Sequence, residues 1–373
     1  MDKHLHIVTH EVPWPANYGG VISLFYKIKS LYETGIKIHL HCFTEEIPSH
    51  QILNSYCYSV NYYKRESRFS LFQFPIPYIV HSRRSKELLL NLEKDNHPIL
   101  FEGTHCTYWI YKNKFSERNI TVSLHNIEFE YYKNLGRVEK NIFKKIYFYI
   151  ESKLLFNYEK KIAQKVNFWA VSNTDLKTFE NQFNSNNINF FPVFVPWKNI
   201  KIELGNGSYC LYHGNLEVNE NEKAALWLLE NIFSELKIPF VIAGKNPNAA
   251  LKKAAHKNKH TCIVENPSEF EMEDLIRKAH INIIPSFNNT GVKIKLLNAL
   301  FNGRHCIVNQ PAAEGSGLEE LCIICYDEND FKIKIKKYYE IKFEEKDTQK
   351  REEILLGLYN NNKNAFSISE MIL

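Results

Sequence analysis

The chain has 373 residues, more than one hydrophobic core usually organises, so two domains are expected. Hydrophobic residues at 44% and charged residues at 24% suit a folded, water-soluble protein, and no run of about 18 apolar residues offers a membrane-spanning helix. The net charge of +5 is mild and uneven: residues 1–190 carry 24 Lys and Arg against 18 Asp and Glu. Such a basic half suits an anionic acceptor or a membrane surface, or is a solvated face; no nucleic-acid partner is expected.

The N-terminus, MDKHLHIVTH, enters a strand pattern directly and lacks the basic-then-apolar layout of a secretion signal, which sets a cytoplasmic expectation. His4–His10 reads as the first strand. Val21–Glu33 follows as a helix with Val21, Leu24, Phe25, Ile28 and Leu31 on one face. Strands are expected at Lys37–Phe43, Ile99–Glu102, Ile120–His125 and Phe168–Ser172. Asn141–Lys165 reads as one helix, with Phe143, Tyr147, Ile150, Leu154, Tyr158 and Ile162 at helical spacing and lysines between them. That helix either packs on its own sheet or lies on a membrane.

The two prolines of FFPVFVPWK, Phe190–Lys198, mark a crossing between domains, after which the pattern restarts. Short strands are expected at Tyr209–His213, Phe240–Ala243, Thr261–Glu265, Ile281–Pro285, Cys306–Asn309 and Ile323–Tyr326. Helices separate them at Glu222–Leu236, Glu271–Ala279 and Lys293–Asn302. The lysine-rich end, Asp330–Leu373, reads as helices broken at Asn360–Asn364. Strands alternating with helices predict an α/β protein of two Rossmann-like, doubly wound domains. Their expected bounds are 1–190, 191–350 and a helical segment 351–373 returning toward the first domain. The eight cysteines are scattered through apolar runs, and Cys322-x-x-Cys325 lacks a second pair, so reduced structural thiols are expected and no metal site.

In such folds ligands meet the turns after the strands. Pro13–Gly20 places Gly19 and Gly20 at a helix start, where backbone amides are open to an anion. His125, Asn126, Ile127 and Glu128 end another strand, and a histidine there can move a proton near neutral pH. Glu102 and His105, in FEGTHC, form a neighbouring turn. In the second half, His213, Gly214 and Asn215 end the first strand. Ser286–Gly303 then combines a polar loop, Gly291 at a helix start, and Lys293 and Lys295 in the first turn. Lysines there oppose the helix dipole unless an anion is bound, so a diphosphate is the expected ligand. QPAAEGSG, Gln310–Gly317, offers further amides.

Taken together, PWPANYGG, HNIE, HGN, IAG, TGVKIKLLNALFNGRHCIV and AAEG resemble family 4 of the retaining glycosyltransferases across nearly the whole chain. The resemblance implies the GT-B fold: two Rossmann-like domains facing across a cleft, a nucleotide-sugar donor gripped by the C-terminal one and an acceptor by the N-terminal one. It implies Gly19, Gly20, Gly214, Asn215, Thr290, Gly291, Lys293, Asn298 and Glu314 on the donor, with His125 and Lys295 catalytic. Glu102, His105 and Glu128 lie on the acceptor side. Two departures stand out. Asn215 occupies the place of a frequent arginine, and Thr290 and Asn298 occupy those of two frequent glutamates. Asn298 can still bond a ribose hydroxyl, whereas Thr290 cannot supply a carboxylate's charge.

The expected function is therefore transfer of a sugar, as by a hexosyl- or mannosyltransferase, from a nucleoside-diphosphate sugar to a glycan or lipid-linked acceptor. Retention and surface-polysaccharide or glycoconjugate assembly are expected with it. No cofactor is expected beyond the donor substrate, and no metal. Peripheral membrane contact is expected at Tyr63–Arg84, with Lys64, Arg65, Arg68, Arg83 and Arg84. A non-catalytic GT-B protein is the alternative that the missing glutamates motivate. A nicotinamide oxidoreductase lacks its glycine fingerprint here.

Overall fold

Most of the predicted strands are short apolar runs, as parallel strands covered on both faces require, while His4–His10 and Lys37–Phe43 alternate histidine with apolar residues. The computed structural model describes residues 2–48, 51–66, 74–288 and 290–373. The chain divides into two units, residues 1–196 with 359–373, and 197–358. The boundary falls at 196/197 rather than 190/191, inside the proline-bearing crossing.

In the first unit the strands are β1 His4–Thr9, β2 Lys37–Phe43, β3 Ser59–Tyr63, β4 Ile99–Glu102, β5 Ile120–Leu124, β6 Asn167–Ala170 and β7 Ile188–Phe190. Their order is β3-β2-β1-β4-β5-β6-β7, all parallel, so the strand order reverses between β1 and β4. β3 and β7 were not expected. Both are edge strands with few buried side chains, and neither carries the apolar run of a central strand.

One face of this sheet is filled by imidazoles instead of aliphatic groups. Register places His6 opposite His39, and His41 lies next along β2. Burial lowers His6 to about 4 and His41 to about 3, so both rings are neutral. A single direction of donation satisfies the row. Asn91 donates to the Tyr63 hydroxyl (2.9 Å), Tyr63 to His41 Nδ1 (2.7 Å), His41 Nε2 to His6 Nδ1 (2.9 Å), and His6 Nε2 to Asp95 (3.0 Å). Beside it, among the described residues, the ligand atoms of His4, His39 and His97 lie within 4.8 Å of one another.

The second unit holds β8 Cys210–Asn215, β9 Phe240–Lys245, β10 Thr261–Glu265, β11 Ile281–Ile284, β12 His305–Asn309 and β13 Ile323–Cys325. Their order is β10-β9-β8-β11-β12-β13, again parallel, with the reversal between β8 and β11. Ligands of such sheets meet the carboxyl ends at the reversal, which points to the turns after β1, β4, β8 and β11.

The C-terminus forms three helices, Glu328–Tyr339, Glu345–Leu358 and Asn361–Ile372. Asn360 caps the last, its side chain accepting from Lys363 N (3.0 Å), so NNNKN starts a helix as well as ending one. Only that last helix belongs to the first unit, where Ala365, Ile368 and Ile372 join the core around Leu24 and Ile28. Helix Glu345–Leu358, part of it within the expected 351–373 segment, stays in the second unit through Arg351, which donates to the carbonyls of Leu300, Gly303 and Arg304.

Gly244, the glycine of IAG, pairs with Gly214 across β8 and β9, and an added Cβ would lie 1.9 Å from the Gly214 carbonyl oxygen. Gly244→Ala is expected to destabilise the protein by at least about 1–3 kcal/mol, measured by urea unfolding.

Candidate functional site

In the first unit the site is built on a fully buried carboxylate. Glu102 ends β4 and accepts from Lys27 Nζ at 2.6 Å and from His125 Nε2 at 2.9 Å. Lys27 also donates to Ser123 Oγ (3.1 Å). Burial alone would raise the Glu102 pKa, but the Lys27 charge and the bond from His125 outweigh it and hold the group at about 2. Glu102 is thus an anion that fixes the tautomer and ring plane of His125, in the way a carboxylate orients a catalytic histidine. With Nε2 facing Glu102, the other ring nitrogen of His125, Nδ1, is left for a ligand at the end of β5. Lys27 went unnoticed in the sequence, although a lysine on the Leu24–Ile28–Leu31 stripe of a buried helix face was the available signal.

Beside this group, Glu128 and Glu159 are buried together. Burial, then the charge of Glu159, pushes Glu128 up to about 8, and burial brings Glu159 to about 7. Glu159 accepts from Glu128 N and Phe129 N (both 3.3 Å) and from Thr104 Oγ1 (3.1 Å). It thereby caps a helix, Glu128–Val138, whose N-cap residue Ile127 has no side chain to do so. His105 stacks on His10 (4.4 Å between centroids) and lies 4.0 Å from Glu128, with a buried Nδ1 that has no hydrogen-bond partner. Burial, and then His10, holds its pKa well below the usual range. Gly19 begins the first helix, Gly19–Glu33, after Tyr18, which makes no side-chain cap, and a Cβ on Gly20 would meet only open space. The helix end is thus open to an anion.

In the second unit, helix Ile294–Asn302 begins at Ile294, three residues beyond the expected Gly291. Gly291 instead has φ +64°, a conformation that favours glycine and turns the loop before the helix. Lys293 is the N-cap and folds its ammonium back onto the Thr290 carbonyl. Lys295 donates to Asn221 Oδ1 at 2.9 Å and to the Tyr212 hydroxyl at 3.3 Å. Among the described residues no carboxylate pairs with it. Burial, and then the charge of Lys293, lowers its pKa to about 8. The helix end has no side-chain cap and no acidic residue in its first turn. Asn221 was also missed. Its amide donates to the Asn215 carbonyl (2.8 Å), and a Cβ on Gly214 would sit 3.3 Å from its side chain, so Gly214 is small to admit it.

The remaining expected donor residues divide by what their side chains already do. Thr290 is buried, and its hydroxyl and amide both bond Asn288 Oδ1 at 3.0 Å, so it serves the loop. The Oδ1 of Asn215 accepts from Glu217 N (3.1 Å) and that of Asn298 from Asn302 Nδ2 (2.8 Å). Their side-chain NH₂ groups have no partner among the described residues. Glu314 follows helix Gln310–Ala313, its carboxylate in no ion pair among the described residues. The nearby Gly315 amide is taken by Glu319 Oε1 at 2.6 Å, so this turn offers fewer free amides than its sequence implies.

In the basic segment Tyr63–Arg84, Arg83 is buried and donates to the Ile79 and His10 carbonyls, Arg84 pairs with Glu66 (2.7 Å), and exposed Arg65 lies 3.7 Å from Glu45. Lys64 is exposed, and Arg68 lies outside the described residues.

Two outcomes test the first-unit group. Glu102→Gln leaves Lys27 buried without its counter-charge and is expected to cost about 3–5 kcal/mol in urea unfolding. For Glu128, the folded pKa lies above the unfolded one. Its stabilising share is therefore full below the unfolded value of about 4.5 and is lost as pH rises to about 8. Glu128→Gln, which mimics the protonated acid, is expected to have a Tm advantage over the parent that is small at pH 5 and widens up to pH 9.

No protein-family model matches the chain. A Klebsiella pneumoniae protein described as an uncharacterized 44.6 kDa protein in a cps region is 31% identical over 347 residues, covering 86% of this chain and 87% of that one. Among solved structures, a trehalose-6-phosphate structure from E. coli bound with UDP-2-fluoro glucose matches 99% of both chains with TM-score 0.68 at 10% identity. A glycosyltransferase from Rickettsia africae matches 100% of this chain and 98% of its own with TM-score 0.67 at 11% identity. These likenesses show the fold, which is that of the GT-B glycosyltransferases, as the motifs imply. The chain belongs to the same family as the Klebsiella cps-region protein, a family built on the GT-B fold.

Proposed function

We propose that this protein is a retaining glycosyltransferase that moves a sugar, a hexose such as mannose, from a nucleoside-diphosphate sugar to a glycan or lipid-linked acceptor. The single observation that carries the reading is Lys295. It is a partly buried ammonium at an uncapped helix N-terminus, held by neutral oxygens and in no ion pair among the described residues. An anion with several oxygens is what such a group is short of, and a diphosphate has them. The cps-region relative supports surface-polysaccharide or glycoconjugate assembly, and the UDP-sugar bound by the E. coli neighbour makes uridine donors the first to try.

In this reading the bond between the anomeric carbon and the diphosphate oxygen breaks, and the charge growing on that oxygen is stabilised by Lys295, Lys293 and the helix amides. The ammonium groups take the part a metal ion plays elsewhere. The acceptor hydroxyl attacks the anomeric carbon from the same face and passes its proton to the departing phosphate oxygen, which gives retention without a protein nucleophile. Asn215 and Asn298 offer amide donors to the nucleotide, and Glu314 lines the sugar side. The resemblance gives His125 the donor sugar, and Glu102 holds it in one tautomer. Gly19 and Gly20 present amides to the phosphates, while His105 and Glu128 belong to the acceptor side. A non-catalytic glycan-binding protein is the second reading, favoured by the inward-turned Thr290 where related proteins often carry a glutamate.

Calorimetry and turnover assays separate the readings. Lys295→Ala is expected to weaken UDP or GDP binding about tenfold or more and to cut turnover about 10²–10³-fold. Because the bound diphosphate needs the protonated amine, affinity is expected to fall as pH rises through about 8, and that slope is expected to vanish in the variant. Binding without transfer across donors and acceptors would favour the non-catalytic reading, and Lys295→Ala with unchanged binding would overturn the diphosphate site.

A further inference from the structure

The helix Ile142–Ile162 has two apolar faces and only one of them is covered. Its inward face, with Leu155, Tyr158 and Ile162, is buried in the first unit's core. The opposite face carries Ile142, Ile146 and Ile150, four residues apart, flanked by Phe143 and Tyr149. These side chains are exposed, Phe143 by 80% and Ile142 by 60%, and Val138 across the turn by 55%. Contiguous exposed apolar side chains of this kind mark an interaction surface, and a helix apolar all round is ordinarily covered all round.

The surrounding charge identifies what covers it. From Lys140 to Ile150 the sequence holds three lysines and no acidic residue. Lys133, Arg137, Lys140, Lys144 and Lys153 are exposed around the apolar stripe; Lys133 and Arg137 share the field of the Glu130 carboxylate, and the lysines outnumber the acids at the tip. The turn is built rather than loose: Asn141 caps the helix, its Oδ1 accepting from Phe143 N (3.0 Å) and Lys144 N (3.2 Å), and Tyr149 packs over Gly136 of the preceding helix, 3.3 Å from where a Cβ would stand. A rigid hairpin with aromatic and aliphatic groups outward and a cationic rim matches the boundary between headgroups and acyl chains of an anionic bilayer. We propose that this hairpin tip, residues 138–150, docks the protein on an anionic lipid surface. Within Tyr63–Arg84, by contrast, Arg83 is spent on the Ile79 carbonyl and Arg84 on Glu66. This docking does not depend on the transferase reading.

Flotation of the full chain with vesicles of phosphatidylcholine, with and without phosphatidylglycerol, tests the proposal. The protein is expected to float with the anionic vesicles and to stay behind with the neutral ones. Lys140→Glu with Lys144→Glu is expected to lower the partition constant at least about 30-fold, since each lysine near the surface is worth about fivefold. Phe143→Ser with Ile146→Ser is expected to lower it about tenfold or more while the thermal melt stays in place. The single Phe143→Ser serves if the double variant melts early. No flotation, or variants that float like the parent, would overturn the proposal. So would sedimentation showing that Phe143→Ser splits a dimer while lipid binding is absent. UDP binding measured on the same variants keeps the two readings apart: flotation without UDP binding sinks the donor site and leaves the docking face standing.

Discussion

An ammonium group drawn out of water needs a compensating anion, and among the described residues Lys295 is in no ion pair, with Glu220 acting on it less than burial and Lys293 do. Its two acceptors, Asn221 Oδ1 and the Tyr212 hydroxyl, are neutral, and its pKa of about 8 records the resulting deficit. Much of the second unit's local structure exists to keep that group in place. Tyr212 comes from β8, Asn221 reaches the turn after β8 because Gly214 has no side chain, and Gly244 lets β9 run close to Gly214. The loop before the helix turns on Gly291, so Lys295 enters the first helical turn, where backbone N–H groups already favour an anion.

The first unit treats its buried charges in the opposite way. Glu102 has a full counter-ion in Lys27 and a second donor in His125, and its low pKa shows that the pair is more than compensated. The consequence is orientation: the imidazole cannot rotate without breaking a bond to an anion that has no access to water. A fully matched charge positions a neighbour, while an unmatched one attracts a ligand. That difference is the physical basis for assigning a positioning role to Glu102 and a ligand-binding role to Lys295.

Much of the fold was legible because parallel strands covered on both faces leave a plain apolar signal, and eleven of the strands were read within a few residues of their observed ends. β3 and β7 were not, since an edge strand buries too little to need that signal. The domain boundary lay inside a segment already marked by its prolines, but contact along the chain, not composition, decides where such a segment divides. Site residues at strand ends were legible by position alone. Their partners were not: Asn221 sits in a plain polar helix start, and its importance arises only from the fold. Thr290 shows the converse. Its place in the motif implied a ligand, yet a hydroxyl beside Asn288 finds a shorter-range partner in its own loop.

Helix Ile142–Ile162 shows why periodicity alone could not distinguish packing from docking. Apolar residues at three- and four-residue spacing were visible, but they run along the helix from its exposed first turns to its buried last ones. Tyr158 and Ile162 face the core, whereas Phe143, Tyr147 and Ile150 point away from it at the other end. The spacing is the same at both ends, which is why the sequence left open whether the helix packs on its own sheet or lies on a membrane. The buried Glu151 and Glu159 show that hydrogen bonding takes part of the inward face. Glu159 is inward to cap the neighbouring helix, and Glu151 to accept from the Ile79 amide at 3.2 Å. With the inward face partly given to hydrogen bonding, the apolar groups that stay exposed at Ile142, Phe143, Ile146 and Ile150 are the ones that the docking proposal takes up.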